Sequence, residues 1–154
     1  MPRAKSLLAT VAVIVMIGLG AQAYAIVPCA LLTADDVAGV TGGAVNEISA
    51  AGTPMASTTC TYSTSVDNGT VTLMLGGGAA QFDQSVSFGA KNGMPYTALS
   101  GVADKAYVNN QCGQPCAQVF ALKGSTYFLI TVQQGPNDAR SAEALARKVA
   151  ARTK

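Results

Sequence analysis

Cysteine has the widest choice of chemistry in this chain, and there are four: Cys29, Cys60, Cys112 and Cys116. A thiolate can act in redox exchange or bind a metal, and a thiol can carry a lipid or close a bridge. A thioredoxin-like site needs C-x-x-C at a helix N-terminus, where the helix dipole lowers the thiol pKa. "CGQPC" has three intervening residues and runs into a strand-like segment. A zinc site wants paired short spacings, and only Cys112 and Cys116 are close. A C-x-x-x-C copper site of the kind found in copper-delivery proteins of the thioredoxin fold also needs histidine, and the chain has none. A lipid anchor needs a cysteine directly after a leader and a small residue, whereas Cys29 follows "IVP". The simplest outcome is two disulfides, for which three pairings exist. Spacing favours Cys112 with Cys116 across a short polar turn, and then Cys29 with Cys60. The second bridge would close a loop of roughly 30 residues and contribute about 3 kcal/mol.

Other reactive types are sparse. Asp35 and Asp36 are adjacent acids, a pattern compatible with proton transfer or a metal. Thr33 and Asp36, however, have the spacing of a capping box, with Leu32 and Val37 at the flanking staple positions. The pair is thus explained as a helix start. Without histidine, a hydrolase would need Ser-Lys or paired carboxylates. Ser100, Asp104 and Lys105 in "SGVADK" offer the groups, but nothing fixes their geometry. The glycines of "GGGAAQ" could nest an anion, yet they lack a P-loop Lys-Ser/Thr and a GxGxxG spacing. No catalytic residue, metal ligand or cofactor is expected.

These residues are carried by an exported-looking chain. Arg3 and Lys5 precede an apolar run of about 14 residues, and "AQAYA" ends it with small residues at 23 and 25. Residues 1–25 therefore read as a signal peptide, too short in their apolar part for the roughly 20 residues of a membrane span. Cleavage near Ala25 leaves residues 26–154 as a single domain with no stable membrane anchor, in a periplasmic or secreted location. Two of the ten basic residues fall in the leader, and the rest balance eight acidic ones. A near-neutral domain excludes nucleic acid and anionic membrane surfaces as partners.

Texture along the domain predicts alternating element types. A capped helix starts at Thr33 and stops at "TGG". "VNEIS", "TTCTYSTSV" and "VTLML" read as strands, the last two joined by a turn at Asn68-Gly69. A second helix carries Phe82, Val86 and Ala90 at i, i+4 and i+8 and ends at Asn92-Gly93. "MPYTALSGVADKAYV" resumes strand character. "AQVFALKGSTYFLITVQQ" predicts a hairpin turning near Gly124, and an amphipathic helix capped by Asn137 or Asp138 closes the chain. The expected fold is α+β: a mostly antiparallel sheet of five or six strands, two or three helices packed on one face, and disulfide staples.

"PCALLTADDVAGVTGG", "CTY" at 60–62 and "LSGVADKAYV" together resemble the DUF3558-type envelope proteins, over about residues 27–152. The resemblance implies a small α+β envelope domain with Cys29 bridged to Cys60, and no reaction. The lipobox of its lipoprotein members is missing here, and "GVAD" stands where the family has Gly-x-Gly-Asp. The expected role is a non-enzymatic binding or scaffold module for an envelope protein or small ligand. Tyr96, Tyr107, Phe120 and Tyr127 are candidates for the walls of a ligand groove. The alternative is a thiol-redox or metal-handling periplasmic protein built on Cys112 and Cys116.

Overall fold

A computed structural model describes residues 28–51, 58–113, 115–135 and 137–154. The expected leader, residues 1–25, lies outside the described residues. In chain order the elements are α1 Pro28–Leu31, α2 Ala34–Thr41, β1 Val45–Ala51, β2 Thr58–Thr64, β3 Thr70–Gly76 and α3 Gly78–Lys91. There follow β4 Thr97–Ala98, β5 Lys105–Asn109, β6 Ala117–Lys123, β7 Thr126–Gln133 and α4 Asp138–Arg152. The strands form one antiparallel sheet in the order β1-β2-β3-β7-β6-β5-β4. The fold is α+β, as expected, with seven strands and four helices among the described residues rather than five or six and two or three. Part of the excess comes from "MPYTALSGVADKAYV", which folds back on itself. Thr97 and Ala98 pair with Val108 and Tyr107 across a turn through Gly101.

Side chains alternate between the two faces of a strand, and both faces are used. Val71, Leu73, Val119, Ala121, Phe128, Ile130 and Val132 point to one side. There they meet Leu32 and Val37 of the N-terminal segment and Ala142, Leu145, Ala146 and Val149 of α4. The intervening residues Phe120, Leu122 and Tyr127 point to the other side and meet Phe82 of α3. The expectation of helices on one face is therefore corrected: α1, α2 and α4 cover one face, and α3 covers part of the second. "VFAL" at 119–122 explains the difference, because an unbroken apolar run marks a strand buried on both sides.

Turn chemistry follows local sterics, with two adjustments. The β2–β3 turn places Asp67 and Asn68 at φ 51° and 50°, the two left-handed positions of a type I′ turn. The turn is thus centred one residue earlier than the Asn68-Gly69 pair read from sequence. Gly69 is needed for closeness instead, since a Cβ there would lie 2.7 Å from the Gln133 carbonyl. At α4, the Asn137 side chain makes no cap bond. The Asp138 carboxylate instead accepts from the backbone N–H of Gln134 (3.1 Å) and Gly135 (2.8 Å).

The N-terminal segment is fastened at three points. Cys29 is bridged to Cys60 of β2, and the buried Tyr62 hydroxyl donates to the Leu32 carbonyl. Burial and, secondarily, the nearby Asp36 charge push the Tyr62 phenol up to about 12. The third fastening is Asp36 itself, 9% exposed. Its carboxylate closes the capping box with Thr33. It also accepts from Arg152 at 2.5 and 3.2 Å and pairs with Lys148 at 3.2 Å, both on α4. Arg152 further donates to the Leu31 carbonyl at 2.9 Å. The Arg152 guanidinium, outweighing the cost of burial and helped by Thr33 and Lys148, holds the Asp36 carboxyl well below its ordinary 3.8.

A carboxylate with a depressed folded-state pKa stabilises the fold above its unfolded pKa, and that contribution fades as pH falls through the folded value. Asp36→Asn should therefore lose roughly 2 kcal/mol in urea melts at about pH 7, a figure discounted for the half-exposed Arg152. The gap from wild type should narrow steadily below about pH 4; a gap that stays constant with pH would remove the ionic role. The bridges should differ in weight. With sequence separations of 31 and 4, paired Cys→Ala changes should cost about 3–4 kcal/mol at Cys29/Cys60 and about 2 kcal/mol at Cys112/Cys116, read from the same melts.

Candidate functional site

α3 carries the aromatic half of the second face. It starts at the last of three consecutive glycines, where Gln81 turns back so that its Oε1 accepts from the Gly77 N–H at 2.5 Å. One donor of the glycine run is thereby taken by the helix's own side chain. The helix ends at Asn92, whose side-chain amide donates to the Phe88 carbonyl at 2.7 Å, with Gly93 following at φ 77°.

Beneath α3 the four nominated groove residues do come together, but as packing rather than as open walls. Phe82 lies 6.1 Å from Tyr107 and 5.8 Å from Tyr127 between ring centroids. Tyr96 lies edge-on to Phe120 at 5.3 Å and to Tyr107 at 6.2 Å. Tyr127 and Phe120 are buried at 1% and 7% exposure, whereas Tyr96 and Tyr107 are half-buried at the rim. Burial raises the pKa of Tyr96 and Tyr127. Phe82, the hub of the cluster, was legible only as part of a helical stripe. Of that stripe, Phe82 is buried and Val86 partly buried, while Ala90 is exposed and Gly89 buried in its place. Gly89 receives the Tyr96 ring so closely that a Cβ would collide with the hydroxyl and sit 2.8 Å from Cζ.

The remaining chemistry-bearing residues are engaged in the scaffold. Asp104 pairs with Lys123 at 3.0 Å and accepts from the Gly124 N–H at 2.8 Å, bracing the β6–β7 turn. These contacts, the Gly124 bond foremost, lower its pKa. Lys105 turns to Asp83 at 3.6 Å, and the Ser100 carbonyl accepts from Arg147 at 3.3 Å. Asp104 and Lys105, close to Ser100 in sequence, are thus each paired with a different side chain. Cys112 and Cys116 are bonded to each other between β5 and β6, with neither on a helix. A shallow cleft of about 110 Å³ lies at the start of α4, lined by Asp67, Gln134, Asn137, Asp138, Ser141 and Thr41. Its helix-end positive charge is already met by Asp138. No set of three or more His, Cys, Asp or Glu side chains placed to hold a metal occurs among the described residues.

The rest of the second face, not covered by α3, carries residues that the sequence reading does not nominate. Strand register aligns Ser49, Thr61, Thr72, Thr131 and Gln118 in one row across β1, β2, β3, β7 and β6. A second row runs through Ser63, Thr70 and Gln133, with Glu47 at the edge. The rows are linked internally by long contacts: Thr61 Oγ1 to Thr72 Oγ1, Gln118 Nε2 to Thr131 Oγ1 and Thr70 Oγ1 to Gln133 Oε1, each 3.4 Å. Their signal in sequence is the alternation "TTCTYSTS" against "TVTLML", which by itself marks only half-buried strands. Phe88 of α3 is 66% exposed.

No protein family, curated protein or solved structure matches the chain, so these side chains carry the functional argument.

The seat of Tyr96 gives a sign-changing test. Glycine inside a helix costs about 1 kcal/mol relative to alanine, yet Gly89→Ala should destabilise by roughly 1 kcal/mol because the Tyr96 ring must leave its seat. In a Tyr96→Ala background the same change should stabilise by about as much. Equal effects in both backgrounds, measured by thermal melts, would show that the close approach is unimportant.

Proposed function

We propose that the protein is a non-enzymatic binding module of the extracytoplasmic cell envelope, of the kind represented by the DUF3558-type proteins. The observation that carries this reading is the broad surface of hydroxyl and amide side chains, with Glu47 at its edge the one charge in its two rows, on a sheet whose other face is closed. Both cysteine pairs are bonded, which fits an oxidising compartment. Among the described residues no helix is long and apolar enough to cross a membrane. The basic, apolar, small-residue order of residues 1–25 supports export with cleavage near Ala25, and "IVP" before Cys29 argues against lipid attachment there. The partner is an envelope component rather than nucleic acid, since the domain's charges balance.

The oxidised protein, immobilised and exposed to native envelope extract, should retain a defined component equally with and without mild reductant. Retention only through a mixed disulfide to Cys112 or Cys116 would favour thiol exchange. Retention of nothing beyond an inert control would overturn the binding reading.

A further inference from the structure

We propose that the uncovered half of the sheet binds a neutral oligosaccharide, with Thr72 and Thr131 at the centre of its floor and Phe88 as a stacking wall. The inference rests on the binding-module reading and names its ligand class.

The position of Phe88 follows from helix periodicity. Gln81 and Phe88 are seven residues, about two turns, apart and share one flank of α3. Gln81 lies against Gly76, the last residue of β3, so the first turn of that flank looks toward β3. Asp83, on the opposite flank, faces Lys105 of β5. The level along the strands is set by Gly89. It seats Tyr96, which lies against Phe120; Phe120 is opposite Leu129, and Leu129 is opposite Met74. Phe88 therefore ends beside the Met74–Leu129 row, and the Thr72–Thr131 row comes next.

The chemistry of the floor selects the ligand. Every threonine and serine hydroxyl can both donate and accept, and each glutamine offers both functions on one amide. Their mutual contacts at 3.4 Å lie beyond the usual hydrogen-bond range, so this capacity is largely unspent. In the two rows only Glu47, at the sheet edge, is charged, which disfavours nucleic acid and anionic polymers. An extended peptide would be recognised through a strand edge by its backbone, and a lipid would need a continuous apolar surface. A sugar chain matches both parts: hydroxyls that alternate as donors and acceptors, and C–H faces that pack on an aromatic ring. The row from Ser49 to Gln118 crosses five strands, about 19 Å at the usual strand spacing, which suits a short oligosaccharide better than a single ring.

The mature oxidised protein should be titrated with cellohexaose, maltohexaose and mannohexaose, followed by calorimetry and by backbone amide shifts. One of these probes should bind in the millimolar range or tighter, with shifts concentrated at Thr72, Thr131 and Phe88. Phe88→Ala and Thr72→Val should each weaken binding by at least about fivefold, roughly 1 kcal/mol. Both variants should melt near wild type, since Phe88 is exposed and valine keeps the β-branched shape. Asp35→Ala, on α2 and exposed on the closed side, should leave binding unchanged. No binding of any probe up to about 10 mM, an affinity weaker than roughly −3 kcal/mol, would overturn the proposal. So would binding whose strength ignores both substitutions. The envelope capture keeps the two failures apart: a retained component without sugar binding leaves the module reading standing and removes the sugar.

Discussion

The Asp36 carboxylate is the point on which the closed face depends. A single buried acid completes the cap of α2, accepts two nitrogens from Arg152 at the end of α4 and pairs with Lys148 one turn earlier. A buried charge is tolerated only when its hydrogen-bonding capacity is met, and here five donors converge on it. The result ties the first described residues to the last ones across the sheet. The Cys29–Cys60 bridge and the Tyr62–Leu32 bond act at the same corner, so the N-terminal helices cannot leave without breaking a covalent bond and exposing a charge.

With that corner held, the sheet can be read as two meanders joined through α3. One comprises β1 to β3 and the other β4 to β7. The β3–β7 pairing makes them continuous, bringing Leu73 opposite Ile130. Connecting β3 to β4 requires a crossing, and α3 makes it over the second face, where Phe120, Leu122 and Tyr127 await an apolar cover. α3 spans only part of that face. The strands beyond it carry threonine and serine on the same side because no helix covers them, and an uncovered face must be wetted.

This division explains why the groups with most chemistry are not the functional surface. Asp36, Asp104, Asp138 and the four cysteines each satisfy a cap, a turn or a bridge. Groups engaged this way hold geometry and have little left to offer a ligand. Uncommitted hydrogen-bonding capacity remains on the hydroxyl rows, whose members touch one another only at long range.

Local features were legible in the sequence because their causes are local. The capping box at Thr33 and Asp36, the helix stop at Asn92-Gly93, the hairpin at Gly124 and the short Cys112–Cys116 ring each depend on residues a few positions apart. The α+β class followed from the order of such segments. Tertiary structure decided what depends on distant pairings. The partners of Asp36 lie 112 and 116 residues away, at Lys148 and Arg152, and no periodicity announces them. The side of the sheet chosen by α3 packs the groove-wall candidates Tyr96, Tyr107, Phe120 and Tyr127 into a cluster with Phe82. The same choice left the hydroxyl rows bare, because their alignment exists only once β3 and β7 pair in register.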